Sequence, residues 1–146
     1  MISAPSETPL RFETAHVADA MTTGVISCSP DTPLRAVAKL MTRNRVHAVY
    51  VFDYGYEDDE TTQLWGLVSD LDVVAAARGD VERRTAGESS VTPLATVDSD
   101  DHLERAAQLM AEKSMSHLAV LDPVTRRPVG VLSTLDIARV VSGPDA

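Results

Sequence analysis

A single cysteine, Cys28, excludes an internal disulfide and a cysteine-based metal cluster. No apolar run approaches the roughly 20 residues that a membrane-spanning helix needs. The first residues, MISAPSETPLRFE, carry neither the basic start nor the apolar core that a secretory signal requires. These absences predict a protein of the reducing cytoplasm, in which Cys28 is buried and unreactive.

Basic side chains are also scarce, since 13 Lys and Arg stand against 22 Asp and Glu and the formal net charge is −9. So acidic a surface disfavours nucleic acid, because affinity for the phosphate backbone comes from Lys and Arg. It is compatible with a small anionic ligand in one local pocket. The hydrophobic fraction of 44% is that of a folded protein, and the length suits one domain or two small repeats.

The most informative pattern is an internal repeat at an offset of 69 residues, over which SPDTPLRAVAKLM faces DSDDHLERAAQLM and RVHAVYVFD faces SMSHLAVLD. Among the positions that coincide are Leu34 with Leu103, Leu40 with Leu109, Met41 with Met110, and Asp53 with Asp122. Beyond Asp53 the register shifts by five residues because the first copy has a longer loop, and GLVSDLD (66–72) then overlies GVLSTLD (130–136). The sequence therefore contains the same unit twice.

Each copy predicts the element order β-α-β-β-α. An amphipathic helix is indicated where apolar residues recur at i, i+3, i+4 and i+7, from Leu34 and again from Leu103. In the first copy Thr32 is the predicted N-cap and Pro33 the first helical residue. Short apolar runs predict strands at 25–28, 48–52 and 66–68 and at 94–97, 118–121 and 130–132, and the helices LDVVAAA and LDIARVV close the copies. Each copy is too small to bury its own sheet well, so the two should pack as one body.

The predicted boundaries follow from composition. They are a flexible N-terminal tail (1–14), a first repeat (15–78), a linker (79–90), a second repeat (91–142) and a C-terminal tail (143–146). The acidic run at 57–60 lacks the alternating oxygen ligands and the turn glycine of a calcium loop. We predict that it is a solvated loop tip.

The motif G-h-h-S-x-x-D, where h is apolar, closes both copies, as Gly66, Ser69 and Asp72 and as Gly130, Ser133 and Asp136. A serine followed three residues later by an acid is close to a capping box, which would explain a helix start and nothing more. The alternative is a ligand site, because free N–H groups at a helix start favour an anion and a carboxylate there can hold a ribose diol. Recurrence in both copies favours the ligand site, as does the use of Asp, which is one methylene shorter than the Glu or Gln that suits a capping box.

The repeated element order, the SPDTPL helix start, the SHLAVLD strand and the G-h-h-S-x-x-D closure together resemble cystathionine-β-synthase (CBS) domains, over residues 17–141. Two such domains in tandem form the pair often called a Bateman module. The resemblance implies an α/β (α+β) fold in which two β-α-β-β-α repeats pack with pseudo-twofold symmetry, their sheets facing. It also implies a homodimer formed through the apolar closing helices.

The resemblance further implies a non-catalytic sensor that binds AMP, ADP, ATP or S-adenosylmethionine in clefts between the repeats and requires no cofactor. Asp72 and Asp136 would hold ribose hydroxyls, with Ser69 and Ser133 beside the ribose or phosphate. The other residues implied to line the two pockets are Ile26, Ser27, His47, Ala48, Ala95, Thr96, Ser116 and His117.

The chain departs from the family pattern at two places in each copy. Tyr50 and Ala119 stand where the second strand usually has a proline, and Leu71 and Leu135 stand where many nucleotide-binding members have a basic residue. Asp70 adds a further negative charge in the first copy, so the second copy is the better phosphate site. Phosphate neutralisation would then fall to Arg43, Arg45, Lys113 or the linker arginines.

Other functions have weaker support. The sequence shows no nucleophile–base pair, no His-x-x-x-His spacing and no glycine-rich phosphate loop, so we predict that the protein is not an enzyme and holds no metal. A histidine on an apolar strand, as at His117, is more often packed in the core than a ligand contact. With no effector domain fused, the output would pass to a separate protein. The alternative function is a ligand-free scaffold dimer that acts only through protein–protein interaction.

Overall fold

The computed structural model describes residues 10–53, 63–79, 81–90 and 95–143. The predictions of a solvated acidic loop tip at 57–60, of a flexible tail before residue 10 and of a tail after residue 143 fall outside these ranges. Within them the chain forms six helices and seven strands. These are α1 (Val17–Ala20), β1 (Thr22–Thr23), β2 (Ser27–Cys28), α2 (Leu34–Asn44), β3 (Ala48–Asp53), β4 (Gln63–Ser69), α3 (Asp70–Ala76), α4 (Ala86–Ser89), β5 (Thr96–Asp98), α5 (Leu103–Lys113), β6 (His117–Leu121), β7 (Pro128–Ser133) and α6 (Thr134–Val141).

The predicted order β-α-β-β-α is confirmed in both copies, as β2-α2-β3-β4-α3 and as β5-α5-β6-β7-α6. The strands form two separate sheets, with the orders β2-β3-β4 and β1-β7-β6-β5. The chain divides into two compact units, which we call the first-repeat unit (Gly24–Thr96) and the second-repeat unit (Met1–Thr23 with Val97–Ala146). Each unit therefore contains one copy and its sheet.

The first-repeat unit is built around the apolar face of α2. In its sheet β2 runs parallel to β3, and β3 runs antiparallel to β4. The core collects the i, i+3, i+7 residues of α2 and the inward residues of the strands and of α3 and α4, namely Leu34, Val37, Met41, Val49, Val51, Val68, Ala76 and Ala86. The predicted helical face is thus the buried face.

The second-repeat unit has the same plan, with Leu103, Ala106 and Met110 of α5 buried. It also contains α1 and β1, which lie at the start of the first predicted repeat, ahead of its β2-α2-β3-β4-α3 elements. The Val17 N–H donates to the Asp101 carbonyl at 2.8 Å, and β1 pairs antiparallel with β7, Thr22 facing Val131. The chain's N-terminal segment therefore completes the unit of the other repeat.

The converse holds for α4, which precedes the second copy and lies 69 residues after α1. It belongs to the first-repeat unit, where the Ala86 N–H donates to the Thr32 carbonyl at 2.8 Å. We refer to α1–β1 and to α4 as the exchanged segments. The stretch 79–90, predicted as a linker, therefore contains a helix.

The predicted start of α2 is wrong by one residue. Pro33 is the N-cap, with extended backbone angles and no side-chain capping hydrogen bond, and helix α2 begins at Leu34. The Thr32 hydroxyl lies 3.1 Å from the Ser29 hydroxyl instead of capping the helix. The reason is that the Thr32 carbonyl is hydrogen bonded to α4, which fixes the chain before the helix begins.

Tyr50 explains one departure from the family pattern. Its backbone N–H donates to the Ile26 carbonyl at 2.9 Å, a hydrogen bond that proline could not make. Its ring is fully buried and stacks on Phe52 with 5.8 Å between ring centroids. None of the helices in the described ranges has the length and apolar character of a membrane span.

Candidate functional site

The two Ser-x-x-Asp motifs occupy equivalent places, where β4 passes into α3 and β7 into α6. In the first copy the Ser69 N–H donates to Asp72 Oδ2 at 2.8 Å, and the Asp72 N–H donates to Ser69 Oγ at 3.3 Å. In the second copy the corresponding distances are 2.8 Å and 3.1 Å. Both are reciprocal capping boxes. The expectation that Asp suits a capping box less well than Glu or Gln is wrong here, because the extended backbone of the serine brings its N–H to the carboxylate.

The first N–H groups of α3 are already engaged. The Asp70 N–H donates to the His47 carbonyl at 2.8 Å, the Leu71 N–H to Asp70 Oδ1 at 2.9 Å, and the Asp72 N–H to Ser69. In α6 the Thr134 N–H donates to the Ser116 carbonyl at 2.9 Å. The expectation that free N–H groups here favour an anion is therefore wrong for α3 and weakened for α6.

Capping leaves each aspartate with unused acceptor capacity, because an ionised carboxylate offers about four lone-pair sites. Asp136 uses Oδ2 for the capping box, and its Oδ1 lies 3.7 Å from Arg139 Nη1. Asp72 also accepts the Ser69 hydroxyl on Oδ2, and its Oδ1 has no hydrogen-bond or ion-pair partner among the described residues. Asp136 is only 7% exposed, whereas Asp72 is half-buried.

The structure brings the second-strand residues to these motifs. Ala48 faces Ser69 across the β3–β4 pair, and His117 faces Ser133 across the β6–β7 pair. His47 is exposed, with Nδ1 3.1 Å from Asp70 Oδ2. The Ser116 hydroxyl lies 2.9 Å from the Nδ1 atom of the half-buried His117 ring.

The first-strand residues lie one strand further on. Ser27 faces Tyr50 on β3, two positions along that strand from Ala48, and Ile26 accepts the Tyr50 hydrogen bond. Thr96 begins β5, the neighbour of β6, and Ala95 comes directly before it. Their predicted role of lining the base stays a prediction.

The predicted phosphate contacts lie at the C-terminal ends of the two long helices. Arg43 and Lys113 lie in the last turns of α2 and α5, and Arg45 is the left-handed C-cap residue of α2. All three are exposed. Within the described ranges none of them forms a hydrogen bond or an ion pair with a motif serine or aspartate, so their role also stays a prediction.

A cavity of about 350 Å³ lies in the second-repeat unit, and Asp136 is the one predicted site residue that lines it. Its lining residues are Leu10, Asp19, Ala20, Asp136, Arg139, Val140 and Gly143. Arg139 was not identified as a site residue from the sequence, although it follows Asp136 by three residues and so lies on the same helical face. Asp19 carried no signal in the sequence, because α1 reaches this unit only through the exchanged segment.

Two other features have structural explanations. Burial raises the pKa of the Cys28 thiol above its ordinary value, and this effect outweighs that of the hydrogen bond with Thr32. The thiol therefore stays protonated and weakly nucleophilic at neutral pH.

Asp98, Asp100 and Asp101 lie close enough together to suggest a metal site. However, Asp98 Oδ1 accepts a 2.7 Å hydrogen bond from Arg126, and Asp101 accepts one from the Asp98 N–H, as in a turn.

Comparison with known proteins identifies the family. Residues 17–79 and 88–143 each match the sequence model of the CBS domain. The chain therefore belongs to the CBS domain family and contains a tandem pair of these domains. It is 30% identical to the CBS domain-containing protein YhcV of Bacillus subtilis (strain 168) over 126 aligned residues. These residues are 85% of this chain and 84% of the relative.

Solved structures show the same fold. The CBS domain pair of protein MJ0100, crystallised with 5′-methylthioadenosine and S-adenosyl-L-methionine, aligns with a TM-score of 0.73 at 20% identity, covering 88% of this chain and 96% of that one. The protein CBSX2, crystallised with AMP, aligns with a TM-score of 0.62 at 23% identity, covering 87% and 96%. The predicted mixed α/β fold of two CBS repeats is thus confirmed.

Proposed function

We propose that this CBS domain pair is a non-catalytic regulatory module of the cytoplasm that binds an adenosine-containing ligand. The observation that carries the proposal is the buried carboxylate of Asp136, which lines a cavity and is held by Ser133 through one oxygen. The related folds crystallised with 5′-methylthioadenosine, S-adenosylmethionine or AMP support the choice of ligand class.

The capping box suits Asp136 to this role. Because the Ser133 N–H fixes Oδ2, the carboxylate is already ordered, and less side-chain entropy is lost when a ligand binds. A ribose diol donates two hydrogen bonds to such a group, and bonds to a charged acceptor contribute roughly 1.5–3 kcal/mol each. Asp72 has the same arrangement and would act likewise in the first copy.

We further propose that the protein is a homodimer that passes its signal to a separate effector protein. The helices α3 and α6 expose Leu71 and Val74 at 64% each, Leu135 at 51% and Val141 at 63%. Large apolar side chains exposed on a short helix are typical of a protein–protein interface. A second copy supplies the same apolar helices, and closed twofold dimers are the commonest assembly of identical chains.

Light scattering is expected to give twice the mass of one chain at micromolar concentration. Replacing Leu71 and Leu135 together by glutamate should give monomers, because the interface would then bury unpaired charges. The exposed Val124, at 87%, lies on neither helix, so Val124→Glu is the matched control and should remain dimeric. A monomeric parent protein would contradict the proposal.

Thermal unfolding with a ligand panel tests the binding function. The panel contains adenosine, AMP, ADP, ATP, S-adenosylmethionine and NAD. A ligand at about 100 times its Kd stabilises the folded state by about 2.7 kcal/mol, so at least one compound is expected to raise the Tm by several degrees. Binding should then be verified by calorimetry. Unchanged Tm values for every compound, with intact dimers, would contradict ligand binding.

Unchanged Tm values for every compound would favour the second candidate function, a scaffold dimer that acts without a ligand. Two observations support this candidate. The N–H groups at the start of α3 are satisfied internally, and apolar Leu71 and Leu135 precede the motif aspartates.

A further inference from the structure

The cavity beside Asp136 has an unusual charge balance for a nucleotide site. Its charged lining residues are two acids, Asp19 and Asp136, and one base, Arg139. Arg139 Nη1 is already 3.7 Å from Asp136 Oδ1, so its charge is shared with that carboxylate. The lining carries a net charge of −1, and Asp19 is the acid that the arginine does not offset.

Several of the groups that could bind a phosphate are also engaged in other contacts. A phosphate needs Lys, Arg or free N–H groups at a helix start. In α6 the Thr134 and Asp136 N–H groups are hydrogen bonded to Ser116 and Ser133, and the residue before the motif aspartate is Leu135. A phosphate dianion in this cavity would therefore be repelled by two carboxylates with little compensation.

We propose that Asp19 is a specificity-determining residue, which makes the cavity prefer a cationic adenosyl sulfonium compound, such as S-adenosylmethionine, to phosphorylated adenosines. This inference rests on the proposed function, since it names the ligand class of the same site. Asp136 holds the ribose, and Asp19 attracts the positive centre. The apolar residues Leu10, Ala20 and Val140 contact its uncharged parts.

The position of Asp19 gives it this role. It is the third residue of α1, and its Oδ2 accepts a hydrogen bond from the His16 N–H at 2.8 Å, which orders the carboxylate. The helix is held in the second-repeat unit by the hydrogen bond from the Val17 N–H to Asp101. The carboxylate is therefore ordered where it lines the cavity, although its side chain is 44% exposed and its Oδ2 also lies 3.8 Å from His16 Nδ1.

Calorimetry with three probes tests the proposal at pH 8. S-Adenosylmethionine and S-adenosylhomocysteine differ by the methyl group that makes the sulfur positive, and AMP carries the phosphate. The parent protein should bind S-adenosylmethionine most tightly. Asp19→Asn should weaken S-adenosylmethionine about five- to tenfold and leave S-adenosylhomocysteine within about twofold, because one charge is removed without change of shape. AMP should bind Asp19→Asn more tightly than the parent.

Two further variants keep the test decisive. Asp19→Glu preserves the charge and should retain the preference, and melting curves show whether each variant is folded. Glu104→Gln makes the same charge change on an exposed residue of α5 outside the cavity and should leave all three affinities unchanged. Tighter binding of AMP than of S-adenosylmethionine, or an unchanged ratio in Asp19→Asn, overturns the specificity while adenosyl binding stands. Failure of all three probes to bind the parent also overturns the specificity, and the six-compound thermal unfolding panel then decides whether adenosyl binding itself stands.

Discussion

Replacing Asp136 by alanine is expected to weaken adenosine-type ligands by about a hundredfold to ten-thousandfold, since two charge-assisted hydrogen bonds to a ribose are lost. Asp72→Ala should cost less, because Asp70 places a further negative charge beside the first motif. Isothermal calorimetry on the parent and both variants measures the difference. Asp136→Ala should also lower stability by about 1 kcal/mol, because its half of the capping box disappears.

Ser133→Ala is the matched control for that second effect. It removes the hydroxyl that accepts the Asp136 N–H, while the Ser133 N–H can still hold the carboxylate. We therefore expect a similar loss of stability with a much smaller loss of affinity. Equal affinities in the parent, Asp136→Ala and Asp72→Ala, with intact dimers, would restrict both aspartates to helix capping.

Gly130→Ala is expected to lower the free energy of unfolding by about 1–3 kcal/mol, as overpacking against a rigid neighbour does. A Cβ atom at this position would collide with the backbone carbonyl oxygen of Thr22, in the strand that pairs with β7. Neither strand can move without breaking the β1–β7 pairing. Urea unfolding should show a lower midpoint with an unchanged slope.

Gly79→Ala provides the control for this glycine. Its added Cβ would meet only the Ala76 carbonyl at 3.7 Å, an ordinary contact, so stability should change by less than about 0.5 kcal/mol. If the two variants unfold at the same urea concentration, the close approach of β1 is not the reason that position 130 requires glycine.

The long elements were predictable because their periodicity is strong. Helices α2 and α5 begin at Leu34 and Leu103, the residues that start the apolar pattern, and each is 11 residues long. The exchanged segments were not predictable, because a four-residue helix has no periodicity and β1 has only two residues. Their positions depend on long-range hydrogen bonds to Thr32 and Asp101, which no local pattern encodes.

The candidate site was predictable in part, because its motif is a local sequence pattern. Local spacing located Ser69, Asp72, Ser133 and Asp136, and the strand register then placed Ala48 and His117 beside the serines. The sequence could not decide between helix capping and ligand binding, because one aspartate can do both. Its Oδ2 serves the capping box, and its Oδ1 remains available. Asp19 required the tertiary structure, because it lies at the start of the first predicted repeat, ahead of β2, and lines a cavity of the second-repeat unit.

The exchanged segments mean that the unit duplicated in the sequence is not the unit that folds. Cutting the chain between its two copies would leave each half with a segment that belongs to the other half's core, and without the one that completes its own. The second copy alone would lack β1, so the edge of β7 would be open to pairing with another chain. The shared segments thereby couple the folding of the two copies, and a single copy produced alone would need a second molecule to supply the missing segment.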